Sequence, residues 1–187
     1  MKMNRKNRLS SPPGYFAEER PEMRRFIPRQ ARRVLDCGCG EGAFAQWIRE
    51  SLRAEVWGVE QEPRAGQCAA KVLDRLIVGD IVEVIPALPD GYFDCIIFND
   101  VLEHLLEPDA ALRAVRSKLA PGGVVVASIP NVRFIHVLCA YVLRGHWRYT
   151  ARGICDTTHV RFFTRSSIIE LFEETGMPWR PSRGSTA

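Results

Sequence analysis

The sequence predicts an α/β fold, a doubly wound and mainly parallel sheet, on three observations. From residue 33 onward, short β-rich runs alternate with helical patterns, the order that builds a parallel sheet with crossover helices. The runs are apolar nearly throughout, as strands are when helices cover both faces. Glycines gather where the first run meets the first helix, at Gly38, Gly40 and Gly42. With 187 residues, 46% hydrophobic and 26% charged, the chain has the proportions of one globular domain.

Taken in order, residues 1–14 mix Lys, Arg, Asn, Ser and Pro without periodicity. Such a segment buries too little surface to order itself, so a disordered basic leader is expected. Strands are predicted at 33–37, 55–60, 75–79, 93–99 and 124–129, and helices at 44–52, 64–73 and 110–119. Ala120-Pro121-Gly122-Gly123 reads as a helix stop followed by a tight turn. Pro130-Asn131 ends the fifth strand, and an amphipathic stretch over 132–143 leads into Arg144-Gly145-His146-Trp147. Residues 130–163 are therefore expected to form a lid or acceptor region. Thr164 is placed to cap a last helix over 168–175, with Gly176 as its stop. The domain is expected to run from 15 to 176 with an irregular tail at 177–187, leaving the sheet at five strands.

The net charge of +4 divides unevenly, because residues 1–33 hold ten Lys and Arg against three Glu. The remaining chain, with 16 basic and 19 acidic residues, is weakly acidic. That balance suits a small-molecule enzyme better than a nucleic-acid binder, whose cations must track phosphates over a whole face. Six cysteines lack any paired CxxC spacing, which predicts reduced thiols, no metal site and a cytoplasmic setting. The longest apolar stretch, near 132–143, is shorter than the roughly twenty residues that cross a bilayer, so no membrane span is expected.

Val34-Leu35-Asp36 runs directly into the three glycines and then a helix. Ligands bind at this turn of an open α/β sheet, where backbone must approach without a Cβ in the way. The spacing is G-x-G-x-G, unlike the G-x-G-x-x-G of dinucleotide sites. Asp36 would repel a phosphate yet suit the cationic amino group of an amino acid, which disfavours a nicotinamide oxidoreductase. Glu60, with Gln61 beside it, closes the second strand, where a carboxylate can hold a ribose diol. Asp80 and Ile81 follow the third strand and suit the adenine amine and ring face. The plainer alternative is that these acids only cap turns.

At this point the sequence resembles the class I methyltransferase superfamily, through 34–44 (VLDCGCGEGAF), 56–60, Gly79-Asp80-Ile81 and 93–105 (FDCIIFNDVLEHL). The segments Ser128-Ile129-Pro130-Asn131-Val132-Arg133 and 145–164 look like bacterial methyltransferases encoded among polysaccharide and glycan genes. The resemblance implies a Rossmann-like domain, S-adenosylmethionine as cofactor, and O-methylation of a sugar, glycan or related small molecule. It implies that Asn99, Asp100 and Val101 line the pocket beside the methyl donor, that 102–104 begin the next helix, and that Tyr15 and Phe16 fold over the cofactor. Members of the superfamily add two further strands that 177–187 cannot supply. Expected consequences are truncation, or a partner or second copy covering an exposed sheet edge, and a cofactor-binding module of weak activity is the alternative function.

A hydroxyl acceptor must lose a proton near the transition state, and His159, His104 and Asp100 are the candidate bases. His159 leads, with Asp156 to orient its ring and Arg161 to hold an anionic acceptor. Otherwise Thr158, His159 and Arg161 fasten the lid.

Overall fold

The computed structural model describes residues 14–179. The expected leader therefore lies outside the described residues except for Gly14, as does most of the tail. Five strands form one sheet: β1 (Arg33–Cys37), β2 (Glu55–Glu60), β3 (Arg75–Val78), β4 (Phe93–Asn99) and β5 (Leu119–Ser128). Their order is β3-β2-β1-β4-β5, and every pair is parallel. The winding reverses between β1 and β4, which opens a crevice at the carboxyl ends of those strands.

The connecting helices are α1 (Ala43–Leu52), α2 (Pro63–Ala69), α3 (Ile81–Val84) and α4 (Pro108–Arg116), followed by α5 (Ile135–Arg144) and α6 (Arg165–Glu174). Successive strand residues point to opposite faces, and each face has its own core. Leu35, Trp57, Ile96 and Phe98 pack with Leu112, Val115 and Phe172 on one side. Val34, Val56, Cys95 and Ile97 pack with Phe44, Ile48 and Ala69 on the other. Burial on both sides explains why these strands read as continuous apolar runs.

Four elements depart from the sequence expectation. The fifth strand starts at Leu119, because its register against β4 jumps from Phe93↔Leu119 to Cys95↔Val124. Residues 120–123 bulge out of the ladder there, so the Pro-Gly-Gly stretch interrupts a strand instead of preceding one. The expected helix over 110–119 consequently ends at Arg116. Leu102–His104 is a single 3-10 turn rather than the start of a helix, since Pro108 lacks an amide donor and imposes extended backbone on Glu107. Last, α2 stops at Ala69, short of the predicted 73. β5 lies at one end of the sheet, and residues 123–128 are only half-buried.

Candidate cofactor and acceptor site

The turn after β1 is held by its own amides. Gly38 and Cys39 N–H donate to the Val59 carbonyl at 2.8 and 3.1 Å, and Gly40 N–H donates to Glu60 Oε2 at 2.8 Å. Glu41 N–H donates to the Phe16 carbonyl at 2.7 Å. Gly40 has φ +57°, and a Cβ there would lie 2.4 Å from that same carbonyl. The glycine is thus required by the crossing of the N-terminal segment as well as by the turn. At Gly38 a Cβ would meet Val101 Cγ2 at 2.5 Å, so the tips of β1 and β4 adjoin.

Asp36 is 2% exposed, and its Oδ1 is buried with no hydrogen-bond partner. Burial, then the neighbouring Glu60, pushes its carboxyl up to about 7. Glu60 is also buried, and its Oε1 accepts from Glu62 N–H at 2.8 Å. Its two oxygens therefore tie the glycine turn to β2, and each keeps a second acceptor position. Asp80 caps α3 by accepting from Val82 N–H at 2.8 Å. Ile81 is buried in the core, and Gln61 is exposed.

Beside them, Asn99 Oδ1 is buried and unpartnered. Asp100 adopts φ +52°, a left-handed conformation fixed from both sides. Its N–H donates to the Ser128 carbonyl at 3.0 Å, Ser128 Oγ donates to its Oδ1 at 2.8 Å, and Arg20 forms an ion pair with its Oδ2. An orphaned buried carboxylate oxygen, a second carboxylate with spare acceptor positions and a Cβ-free bend fit an adenosyl amino acid. Asp36 faces its ammonium in that fit, and Glu60 its ribose hydroxyls.

A second cluster stands at the same crevice. Glu103 is 1% exposed, neither of its carboxylate oxygens has a hydrogen-bond partner, and burial pushes it up to about 7. His159 Nε2 lies 3.8 Å from Glu103 Oε1, while its Nδ1 meets the Ile154 carbonyl at 2.9 Å. His104 Nδ1 meets the Thr158 carbonyl at 3.2 Å, and the two imidazoles meet edge to face at 4.7 Å. A carbonyl at Nδ1 requires the proton there, so each ring is held by the strap of residues 154–163 and keeps Nε2 as an acceptor. Desolvation, then His159, lowers the His104 pKa. One ligand atom each from Glu103, His104 and His159 lies within 4.8 Å of the others, a spacing that suits a shared proton or a divalent cation.

The strap is pinned in place by Val160 and Arg161 N–H groups, both donating to the Glu103 carbonyl at 3.0 Å. Two sequence expectations change here. Asp156 does not orient His159, because its Oδ1 accepts from Thr158 N–H and Oγ1 and its Oδ2 from Tyr15 OH at 3.4 Å. Arg161 lies against the Leu106 carbonyl rather than open to an anion. Glu103 was missed by sequence reasoning, although an acid flanked by Leu102 and His104 directly after the pocket residues was a usable signal. Tyr15 and Phe16 do cross the site, with Phe16 on the glycine turn and Tyr15 on the strap.

The five-stranded parallel sheet with this glycine bend is the fold of the S-adenosylmethionine-dependent methyltransferases. A family model described as a methyltransferase domain matches residues 9–177, and the chain belongs to that family. A ubiquinone biosynthesis O-methyltransferase of Cereibacter sphaeroides is 27% identical over 161 residues, covering 81% of this chain and 62% of the relative. The protein of the same name from Xanthomonas campestris is 30% identical, covering 79% of this chain and 68% of the relative. A S-adenosylmethionine-dependent methyltransferase of Archaeoglobus fulgidus superposes with TM-score 0.67 at 25% identity, over 83% of this chain and 66% of that one. The chain thus spans about 62% of the length of the Cereibacter relative.

Proposed function

We propose that the chain transfers a methyl group from S-adenosylmethionine to a hydroxyl oxygen of a small molecule. The observation that carries this reading is buried Glu103, with both oxygens unpartnered, facing two imidazoles beside the cofactor bend. The sulfonium donor, when bound, supplies an already activated methyl group, which leaves the protein to align, exclude water and take a proton. Asp36 holds the ammonium end and Glu60 the diol. Asn99, Asp100 and Val101 form the wall between that pocket and the acceptor cluster. His159, with its proton fixed on Nδ1, offers Nε2 to the acceptor hydroxyl, and Glu103 shares the proton that arrives there. His104 sets the opposite wall.

Relatives named for O-methylation in ubiquinone biosynthesis favour an oxygen acceptor, and residues 145–164 resemble enzymes of glycan clusters. Both point to a hydroxyl, so the proposal commits to the atom. Six free cysteines favour a reducing compartment such as the cytoplasm. A screen of phenolic and sugar hydroxyl acceptors, read by mass for the gain of one methyl group, tests the reading. Product from neither class, with S-adenosylhomocysteine still bound, would instead support a cofactor-binding module.

The spacing of Glu103, His104 and His159 favours one second reading, in which a divalent cation lowers the acceptor's pKa in place of the base. Activity lost to a chelator and restored by a divalent salt selects that reading over the imidazole one.

A further inference from the structure

α5 presents two different sides. Ile135, Leu138 and Val142 point outward and stand exposed, whereas Val137, Ala140 and Arg144, spaced three and four residues apart, share the inward side. There they line a cleft of about 550 Å3 that Trp147, Arg148 and Ile154 close from across it, a volume that suits a small molecule. The last-turn carbonyls of Ala140 and Tyr141 accept from His146 N–H at 3.4 Å and Gly145 N–H at 3.0 Å, so Arg144 is not needed to close the helix. Among the described residues the guanidinium groups of Arg144 and Arg148 make no ion pair, hydrogen bond or ring contact. Trp147 is held edge to face by Tyr141 at 5.9 Å and by Phe162 at 5.0 Å, and 37% of its surface stays open.

Charge decides what the cleft takes. No carboxylate lines it. Residues 130–164 hold five arginines and one acid, Asp156, which is buried and accepts from Thr158 and Tyr15. The cofactor bend and the acceptor cluster, in contrast, gather Asp36, Glu60, Asp100 and Glu103. An anionic group on a ligand is therefore repelled from the bend and attracted to the cleft. Arg20 and Arg161 do not compete for it, since Asp100 engages the first and the Leu106 carbonyl the second. The cleft also borders the candidate base. Ile154 lines it, and the Ile154 carbonyl meets His159 Nδ1 at 2.9 Å. Phe162, against Trp147, has its ring 6.4 Å from that of His159.

We propose that this cleft binds the acceptor by an anionic group, a carboxylate or phosphate held by Arg144 and Arg148, with the acceptor's ring against Trp147. The substrate class is then a negatively charged, ring-bearing hydroxyl compound. Calling the ligand the acceptor rests on the methyl-transfer reading, while the site itself is tested by binding alone. Calorimetry on the full chain saturated with S-adenosylhomocysteine compares 4-hydroxybenzoate with its methyl ester, and glucose 6-phosphate with glucose. The two pairs separate phenolic from sugar acceptors, and within each pair the anion is what differs. One anion or both should bind about tenfold or more tighter than the neutral counterpart, and more weakly as salt rises. Arg144→Gln and Arg148→Gln should each weaken that anion about tenfold, and Trp147→Leu should weaken both members of the pair. Arg133→Gln, on the same segment but outside the cleft, should leave binding unchanged. All four variants should keep the wild-type helix content and S-adenosylhomocysteine affinity. Binding of neither anion overturns the proposal, as does equal binding of anion and neutral counterpart, or a loss in Arg133→Gln as large as in Arg144→Gln. Product formed only from neutral hydroxyls in the acceptor screen also overturns it, because the cleft would then not hold the acceptor. Failure of the methyl-transfer reading shows separately, as loss of S-adenosylhomocysteine binding or of every methylated product.

Discussion

Asp36 and Glu103 are the two residues whose surroundings contradict their charge. Each is buried without the hydrogen bonds a carboxylate requires, and each is pushed up to about 7. A ligand ammonium pairs only with ionised Asp36, so affinity for S-adenosylhomocysteine is expected to rise with pH up to about 7, by at most about tenfold per pH unit. Calorimetry across that range should show the slope in the wild type and a flat profile in Asp36→Asn. Glu103→Gln preserves volume and removes the proton site. Turnover should fall about a hundredfold with cofactor affinity unchanged, and equal turnover would remove Glu103 from the mechanism. Gly40→Ala places a Cβ against the Phe16 carbonyl at a positive φ. It should cost about 3 kcal/mol or more in urea unfolding, above the roughly 1–2 kcal/mol that left-handed backbone alone demands.

Among the elements, the segment around Tyr15 to Arg20 joins the two halves of the site. It reaches the glycine turn through Phe16, the strap through Tyr15 and the tip of β4 through Arg20. This segment thus spans the glycine turn, the strap and the tip of β4, while the strap at 154–163 is fixed to the Leu102–His104 turn. The last helix shows how a local signal survives into the fold. Thr164 accepts from Ser167 N–H, and Ser167 Oγ accepts from Thr164 N–H, a reciprocal box that closes the start of α6. Thr164→Ala should lower stability by about 1 kcal/mol, measurable as a shift in denaturation midpoint without a change of slope. Strand positions were legible because apolar runs are long and bounded. The early start of β5 was not, because a bulge is set by pairing with β4 and leaves only Pro and Gly as a trace in the sequence.

For the whole molecule, the two raised carboxyls set a stability trend with pH. Between the ordinary carboxylate range and about 7 the folded protein holds protons on Asp36 and Glu103 that the unfolded chain has released. Stability contributed by these groups is present at low pH and lost as pH rises through that window, on the order of 3 kcal/mol for each. The Tm of the ligand-free protein should therefore fall from mildly acid to neutral pH, and Asp36→Asn combined with Glu103→Gln should flatten the curve. A Tm that instead rises steadily toward neutrality would mean that these carboxyls are solvated. The sequence by itself determined the layered sheet, the glycine bend and the acids at strand tips, since periodicity and chain order act locally and each strand passes directly into its turn. Only the tertiary structure decided which acid meets which histidine, because residues 103 and 159 are brought together by the strap. It also decided that α5 turns its apolar arc outward, since helical period shows that a face exists and only packing shows where that face points.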